Sequence, residues 1–259
     1  MDDAQVAIVT GASSGIGAAV ARHLARAGMR VVLAARNEAA LETVAREVVA
    51  LGGAALVVPT DVRDAAQCRA LIEQTVAQWS RLDILINNAG LGFSNRVGQL
   101  AEAEVQAQIE TDLTGVIWCC NAAVPVMERA GRGAIINIGS VAGRIGLPTS
   151  AVYCAAKFGL DGFTQSLRAE VHGRGIAVSL LNPGFVATDF SRRASRGGDD
   201  TRSRPGPEMS ADDVALRIMQ LLKHPRRQVV MTWPYAVVAG VARFAPSMVA
   251  WLLARVGKR

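Results

Sequence analysis

The chain is poor in cysteine, histidine and aromatic residues, and each shortage removes a class of function. Its four cysteines, Cys68, Cys119, Cys120 and Cys154, have no C-x-x-C spacing and no histidine cluster beside them, so no metal site and no disulfide framework is expected. They read as small buried apolar residues. Aromatic residues make up 5% of the chain, and none interleave with a basic stripe. The net charge of +6 therefore does not point to nucleic acid. No apolar run approaches the roughly 20 residues that cross a bilayer. The first residues, Met1 to Gln5, carry acids where a secretory signal carries bases, which predicts a cytoplasmic protein.

What is present is ample core material, with 51% hydrophobic and 19% charged residues in 259. Apolar runs rich in valine and isoleucine alternate with stretches of helical period, the pattern of a parallel sheet covered on both faces. Strands are expected near 5–10, 30–35, 54–59, 82–87, 133–139, 176–181 and 228–232. Helices are expected near 15–27, 38–51, 65–79, 100–130, 150–173 and 210–223. Gly28 and Gly52-Gly53 end two of these helices, while Asp64 with Gln67 and Ser210 with Asp213 open two others. No internal repeat divides the chain. The fold class is α/β: a single doubly wound, Rossmann-type sheet of about seven parallel strands, with ligands at the strand carboxyl ends.

Two sets of residues carry chemistry. Thr10 to Gly17 joins the first strand to the first helix with the spacing Gly11-x-x-x-Gly15-x-Gly17. Glycines permit a tight turn and close helix packing, and the helix amino end attracts a pyrophosphate. Further on, Tyr153 and Lys157 stand four apart on an expected helix, so their side chains share a face, and Ser140 lies thirteen residues upstream of Tyr153. Small flanking residues (Ala151, Ala155, Ala156, Gly159) let a cofactor approach. A phenol with its ordinary pKa of about 10 is a poor acid or base at neutral pH. A neighbouring ammonium and an oxidised nicotinamide are expected to lower it, at about 1.4 kcal/mol per unit. Ser140 would orient a substrate oxygen without adding charge.

With these motifs in order, the sequence from about Val6 to Asp189 resembles the short-chain dehydrogenase/reductase family. The resemblance covers Gly11, Ser13, Ser14, Gly15, Ile16 and Gly17 in the cofactor turn and Asp61-Val62 beside the adenine. It extends to Asn88, Ala89 and Gly90 under the cofactor, and to Pro183, Gly184, Val186 and Thr188 at the nicotinamide. It implies reversible hydride transfer between a nicotinamide coenzyme and a carbonyl or alcohol carbon. Tyr153 would be the acid/base, Lys157 would hold the nicotinamide ribose, and Ser140 would position the substrate. Where relatives using NAD carry an acid at the end of the second strand, this chain has Ala35 and then Arg36, which can pair with a 2′-phosphate. That predicts NADP(H). A homodimer or homotetramer built through the helices near 100–130 and 150–173 is expected from the same resemblance.

The chain also departs from the family. Its usual Asn-x-x-Gly is Asp112-Leu113-Thr114-Gly115 here, which places Asp112 as a candidate in the proton relay to Lys157 or as a plain helix variant. Residues 191–208 are expected to form a substrate lid, with Phe93, Leu147, Phe185 and Phe190 as apolar walls. The catalytic domain is expected to span 1–233. Residues 234–259 form an apolar extension, read as two segments at 236–244 and 247–256, that packs on the domain or a sister subunit or lies on a membrane surface. Three functions follow: a carbonyl reductase acting on a hydrophobic small molecule, a reductase of 3-oxoacyl thioesters, or a cofactor-binding sensor without turnover.

Overall fold

Seven strands line up in the order β3-β2-β1-β4-β5-β6-β7, every pair parallel. They are β1 (Val6–Thr10), β2 (Arg30–Ala35), β3 (Ala54–Pro59), β4 (Ile84–Asn87), β5 (Gly133–Ile138), β6 (Ile176–Asn182) and β7 (Gln228–Val230). The computed structural model describes residues 4–188, 208–245, 247, 248 and 255. The helices are α1 (Gly15–Arg26), α2 (Glu38–Ala50), α3 (Ala65–Trp79), α4 (Glu102–Ile109), α5 (Gly115–Ala130), α6 (Ala151–Glu170), α7 (Ala211–Lys223) and α8 (Trp233–Phe244).

The apolar strands feed two separate cores because successive side chains point to opposite faces. Ala7, Val9, Val31 and Leu33 pack with α1, α2 and α7, whereas Val6, Ile8, Val32 and Ala34 pack with α3, α5 and α6. Both faces are covered, which is why these strands read as continuous hydrophobic runs. The strand order reverses between β1 and β4, so a crevice opens at their carboxyl ends.

Local chemistry sets the helix ends. Gly28 and Gly52 take φ of 76° and 86° after α1 and α2, the left-handed conformation that glycine adopts without strain. Asp64 accepts from the amides of Ala66 and Gln67, and Ser210 and Asp213 form a reciprocal capping box. Gln67 does not complete the box at Asp64; its side chain accepts the Asp61 amide instead.

Three expectations need correction. The helix expected at 100–130 is interrupted by a π-helical turn at Glu110–Thr114 between α4 and α5. The strand expected at 82–87 starts at Ile84; the Asp83 backbone still bonds Val6 and Ala134, and its carboxylate accepts the Val6 amide at 2.8 Å. The carboxyl-terminal helix begins at Trp233, not Ala236, with Pro234 in its first turn, where a missing N–H is harmless. Of the lid expected at 191–208, residues 191–207 lie outside the described residues, as do Phe190 and most of the second apolar segment.

Candidate active site

The crevice is built on close backbone approach. Gly17 leaves no room for a side chain, since a Cβ there would stand 2.3 Å from the Gly11 carbonyl oxygen. Gly11 takes φ of 66°, and its own Cβ would meet the Ala89 backbone at 2.8 Å. Thr10 at the end of β1 ties the crossing strands together: its Oγ1 accepts the amides of Asn88 and Ala89 at 2.9 and 3.0 Å. Asn88 returns its side-chain amide to the Thr10 carbonyl at 2.9 Å. The first turn of α1 holds no acid, and the side chain of its N-cap, Ser14, makes no capping hydrogen bond. These features fit a dinucleotide, whose phosphates suit a helix amino end with free N–H groups. Gly15 lies across from Thr188, whose methyl would sit 3.3 Å from a Cβ at Gly15. Ser13 and Ile16 follow the carboxyl end of β1, Gly90 that of β4, and Val186 that of β6, where it bridges to Met209.

Arg36 is exposed just beyond β2, close enough to Asp61 for its charge to act on that carboxylate. Asp61 itself is held by Arg63 at 2.6 Å, and this hydrogen bond keeps its pKa below the usual value. Val62 is buried and packs where Gly115 lacks a side chain: a Cβ at Gly115 would meet it at 2.8 Å.

Ser140, Tyr153 and Lys157 come together at the ends of β5 and α6. Ser140 donates its amide to Asn182 Oδ1 at 3.0 Å, its hydroxyl accepts the Ala142 amide at 3.1 Å, and it hydrogen-bonds with the Tyr153 phenol. Lys157 is buried, donates Nζ to the Ile138 carbonyl at 3.1 Å and lies 5.6 Å from the centre of the Tyr153 ring. The expected lowering of the phenol pKa is absent in the protein alone. Burial of the hydroxyl pushes it upward, the Asp112 charge adds to this, and the Ser140 hydrogen bond only partly opposes them. Tyr153 as a residue is partly exposed, yet its hydroxyl is buried, and in this state it is a neutral acid.

Asp112 sits in the π-helical turn, fully buried. Its Oδ1 accepts the Leu91 amide at 2.8 Å, while Oδ2 has no hydrogen-bond partner. Burial pushes its pKa up to about 6; Lys157 and then the donors at Leu91 and Gln108 pull it part of the way back. A wider turn of this kind is common where a side chain must be redirected to a site.

Beneath the site runs a polar ladder that the sequence reading missed. Asn87 donates to Asn137 Oδ1 at 2.9 Å, and Asn137 donates to Thr164 Oγ1 at 2.9 Å. The available signal was an asparagine inside each of two apolar strands, which is costly unless paired. Among the described residues, no group of three or more His, Cys, Asp or Glu could hold a metal ion.

The fold and this cluster define a dinucleotide-dependent oxidoreductase with a serine, tyrosine and lysine at its centre. The short chain dehydrogenase family model matches residues 5–198, and the chain belongs to that family. Over 189 residues it is 43% identical to a 3-oxoacyl-[acyl-carrier-protein] reductase of Synechocystis, covering 73% of this chain and 76% of that one. A short-chain dehydrogenase/reductase of Burkholderia phymatum, solved with NAD, superimposes with a TM-score of 0.86 at 26% identity, covering 95% of each chain. A variant of actinorhodin polyketide ketoreductase, solved with NADPH, gives 0.82 at 30% identity, covering 89% of this chain and 97% of that one.

Proposed function

We propose that this chain is an NADP(H)-dependent reductase of carbonyl groups, equivalently a dehydrogenase of secondary alcohols. The observation that carries the reading is the convergence of Ser140, Tyr153 and Lys157 beside a glycine-cradled helix end. Bound coenzyme supplies or accepts the hydride. Tyr153 holds the proton that the substrate oxygen gains or loses, Ser140 hydrogen-bonds that oxygen, and Lys157 holds the ribose and stabilises the phenolate. Phe93, Leu147 and Phe185, all partly buried, supply apolar walls.

Arg36 supports NADP(H): no acid stands at the end of β2 to bind a free 2′-hydroxyl, and the exposed guanidinium can take a phosphate. The wild type is expected to favour NADPH over NADH, and Arg36→Asp to lose about 10- to 100-fold of its kcat/KM for NADPH, the worth of one charge-assisted hydrogen bond. Steady-state rates with both coenzymes check this, and a wild-type preference for NADH would overturn the assignment. The Synechocystis relative favours a 3-oxoacyl thioester as the substrate within this class. A panel of aliphatic, aryl, steroid-like and acyl-thioester ketones, followed by NADPH absorbance, tests both the reaction and the substrate.

The enzyme assembles as a homodimer or homotetramer through α5 and α6, and four free, buried thiols suit a reducing, cytoplasmic setting. Its carboxyl-terminal segment meets a membrane surface. Trp233, Val237, Val241 and Phe244 recur on one face of α8 and are exposed, Phe244 by 87%. From residue 214 to 259 there is no acid, but eight lysines and arginines. This pairing of apolar stripe and positive charge suits anionic lipid. No helix among the described residues is long and apolar enough to cross a membrane. Flotation with phosphatidylserine vesicles is expected to carry the wild-type chain but not Val237→Glu/Phe244→Glu, with the mass from light scattering unchanged. A drop in mass with no flotation of either chain would assign the segment to subunit contact instead.

A further inference from the structure

The start of α8 grips the other end of the active site. A Cβ at Gly184 would stand 2.2 Å from Cε2 and 2.4 Å from Cδ2 of Tyr235. The Tyr235 hydroxyl accepts the backbone amide of Phe185, the next residue. The same stretch is tied back to the catalytic serine. Val141 donates its amide to the Pro183 carbonyl at 3.1 Å, Ser140 donates to Asn182 Oδ1, and Met231 donates to the Asn182 carbonyl at 2.9 Å. One side chain of α8 thus seats on a segment whose other contacts run to Ser140.

The joint that delivers Tyr235 is strained. Thr232, between β7 and α8, has φ of 66° and ψ of 133°, a conformation that a β-branched residue rarely adopts. Its buried hydroxyl has no hydrogen-bond partner. Such strain persists only where the surroundings fix it, and it gathers where geometry serves a site. Here it turns the chain so that the second residue of α8 after Trp233 lands on Gly184.

We propose that Tyr235 is a positioning residue for the nicotinamide end of the coenzyme site, fixing the Pro183–Thr188 segment by seating on Gly184 and holding the Phe185 amide. The proposal rests on the reading of that segment as the one that meets the nicotinamide. Without the ring, the segment loses its outer support; without the hydroxyl, it loses one fixed hydrogen bond. The adenine half of the site, at Arg36 and Asp61, lies at the ends of β2 and β3, on the other side of the sheet order from β6 and β7.

The test compares NADPH with 2′-phospho-ADP-ribose, which lacks nicotinamide, as ligands of the full-length protein, with dissociation constants from fluorescence and calorimetry. Tyr235→Phe is expected to weaken NADPH about 3- to 10-fold, as for loss of one neutral hydrogen bond, and to leave 2′-phospho-ADP-ribose unchanged. Gly184→Ala is expected to weaken NADPH at least 10-fold because its methyl collides with the ring. The double variant Gly184→Ala/Tyr235→Ala regains affinity to the level of Tyr235→Ala alone. Equal weakening of both ligands would show general destabilisation and overturn the proposal, as would a double variant no better than Gly184→Ala. Wild type that binds neither ligand would instead overturn the coenzyme assignment. If Tyr235→Ala fails to fold, Tyr235→Phe and Gly184→Ala still decide the matter.

Discussion

Replacing Tyr153 with phenylalanine lowers kcat by about 10³-fold, the middle of the range for removing a positioned general acid or base. That loss corresponds to about 4 kcal/mol of transition-state stabilisation. The substitution keeps the ring and its place over Lys157 and removes only the oxygen that hydrogen-bonds with Ser140. Lys157 is hydrogen-bonded to the Ile138 carbonyl and Asp112 to the Leu91 amide, so neither stands where the phenol oxygen stood. Coenzyme affinity should stay within about twofold, because a lost hydroxyl that acts only in the transition state does not change ground-state binding. Single-turnover reduction with saturating NADPH measures the effect, and unchanged turnover would remove Tyr153 from the reaction.

Asp112→Asn produces the second large effect, and it depends on pH. The Asp112 carboxyl is pushed up to about 6 in the folded chain from an ordinary 3.8. A raised folded pKa means that the native state binds the proton more tightly than the unfolded one. The group's contribution is therefore fully present below about pH 3.8 and is lost as pH rises through about 6. Asparagine does not titrate. The stability of the variant relative to wild type should rise by about 2.5 kcal/mol between pH 4 and pH 8, because at pH 4 part of the full shift of roughly two units, at about 1.4 kcal/mol each, is already lost. Urea unfolding at the two pH values measures the change, and any constant offset from leaving Lys157 without its partner cancels in the comparison. Activity moves with it. Removing the Asp112 charge relieves one of the influences that raise the Tyr153 pKa, so the limb of alcohol oxidation that needs the phenolate shifts to lower pH. Superimposable pH profiles together with a flat stability difference would make Asp112 a bystander.

The sheet was legible because its information is local. Strands with continuous valine and isoleucine, punctuated by Gly28, Gly52 and the capping residues Asp64 and Ser210, each state their own boundaries. The glycine turn and the Tyr153–Lys157 pair were equally readable, since spacing on one element decides which side chains share a face. The π-helical turn was not. It arises where Gly115 lies against Val62 and Gly159 against Leu113, contacts between residues 53 and 46 positions apart that no periodicity reports. The pKa of Tyr153 failed for a similar reason: the lysine four residues away was visible, whereas burial and the Asp112 charge belong to the folded surroundings. The hydrogen bonds from Asn88 and Ala89 to Thr10 and the asparagine ladder were missed because each residue looks unremarkable until its partner from another strand is in place.

The widened turn at Glu110–Thr114 also carries a surplus residue, because a π-turn closes its hydrogen bonds over one residue more than an α-turn. Excising one residue from it would leave an ordinary α-helical stretch with the flanking helices keeping their faces, so Gly115 would still meet Val62 while Asp112 lost the niche that holds it. The fold should survive that excision, and only the chemistry should feel it.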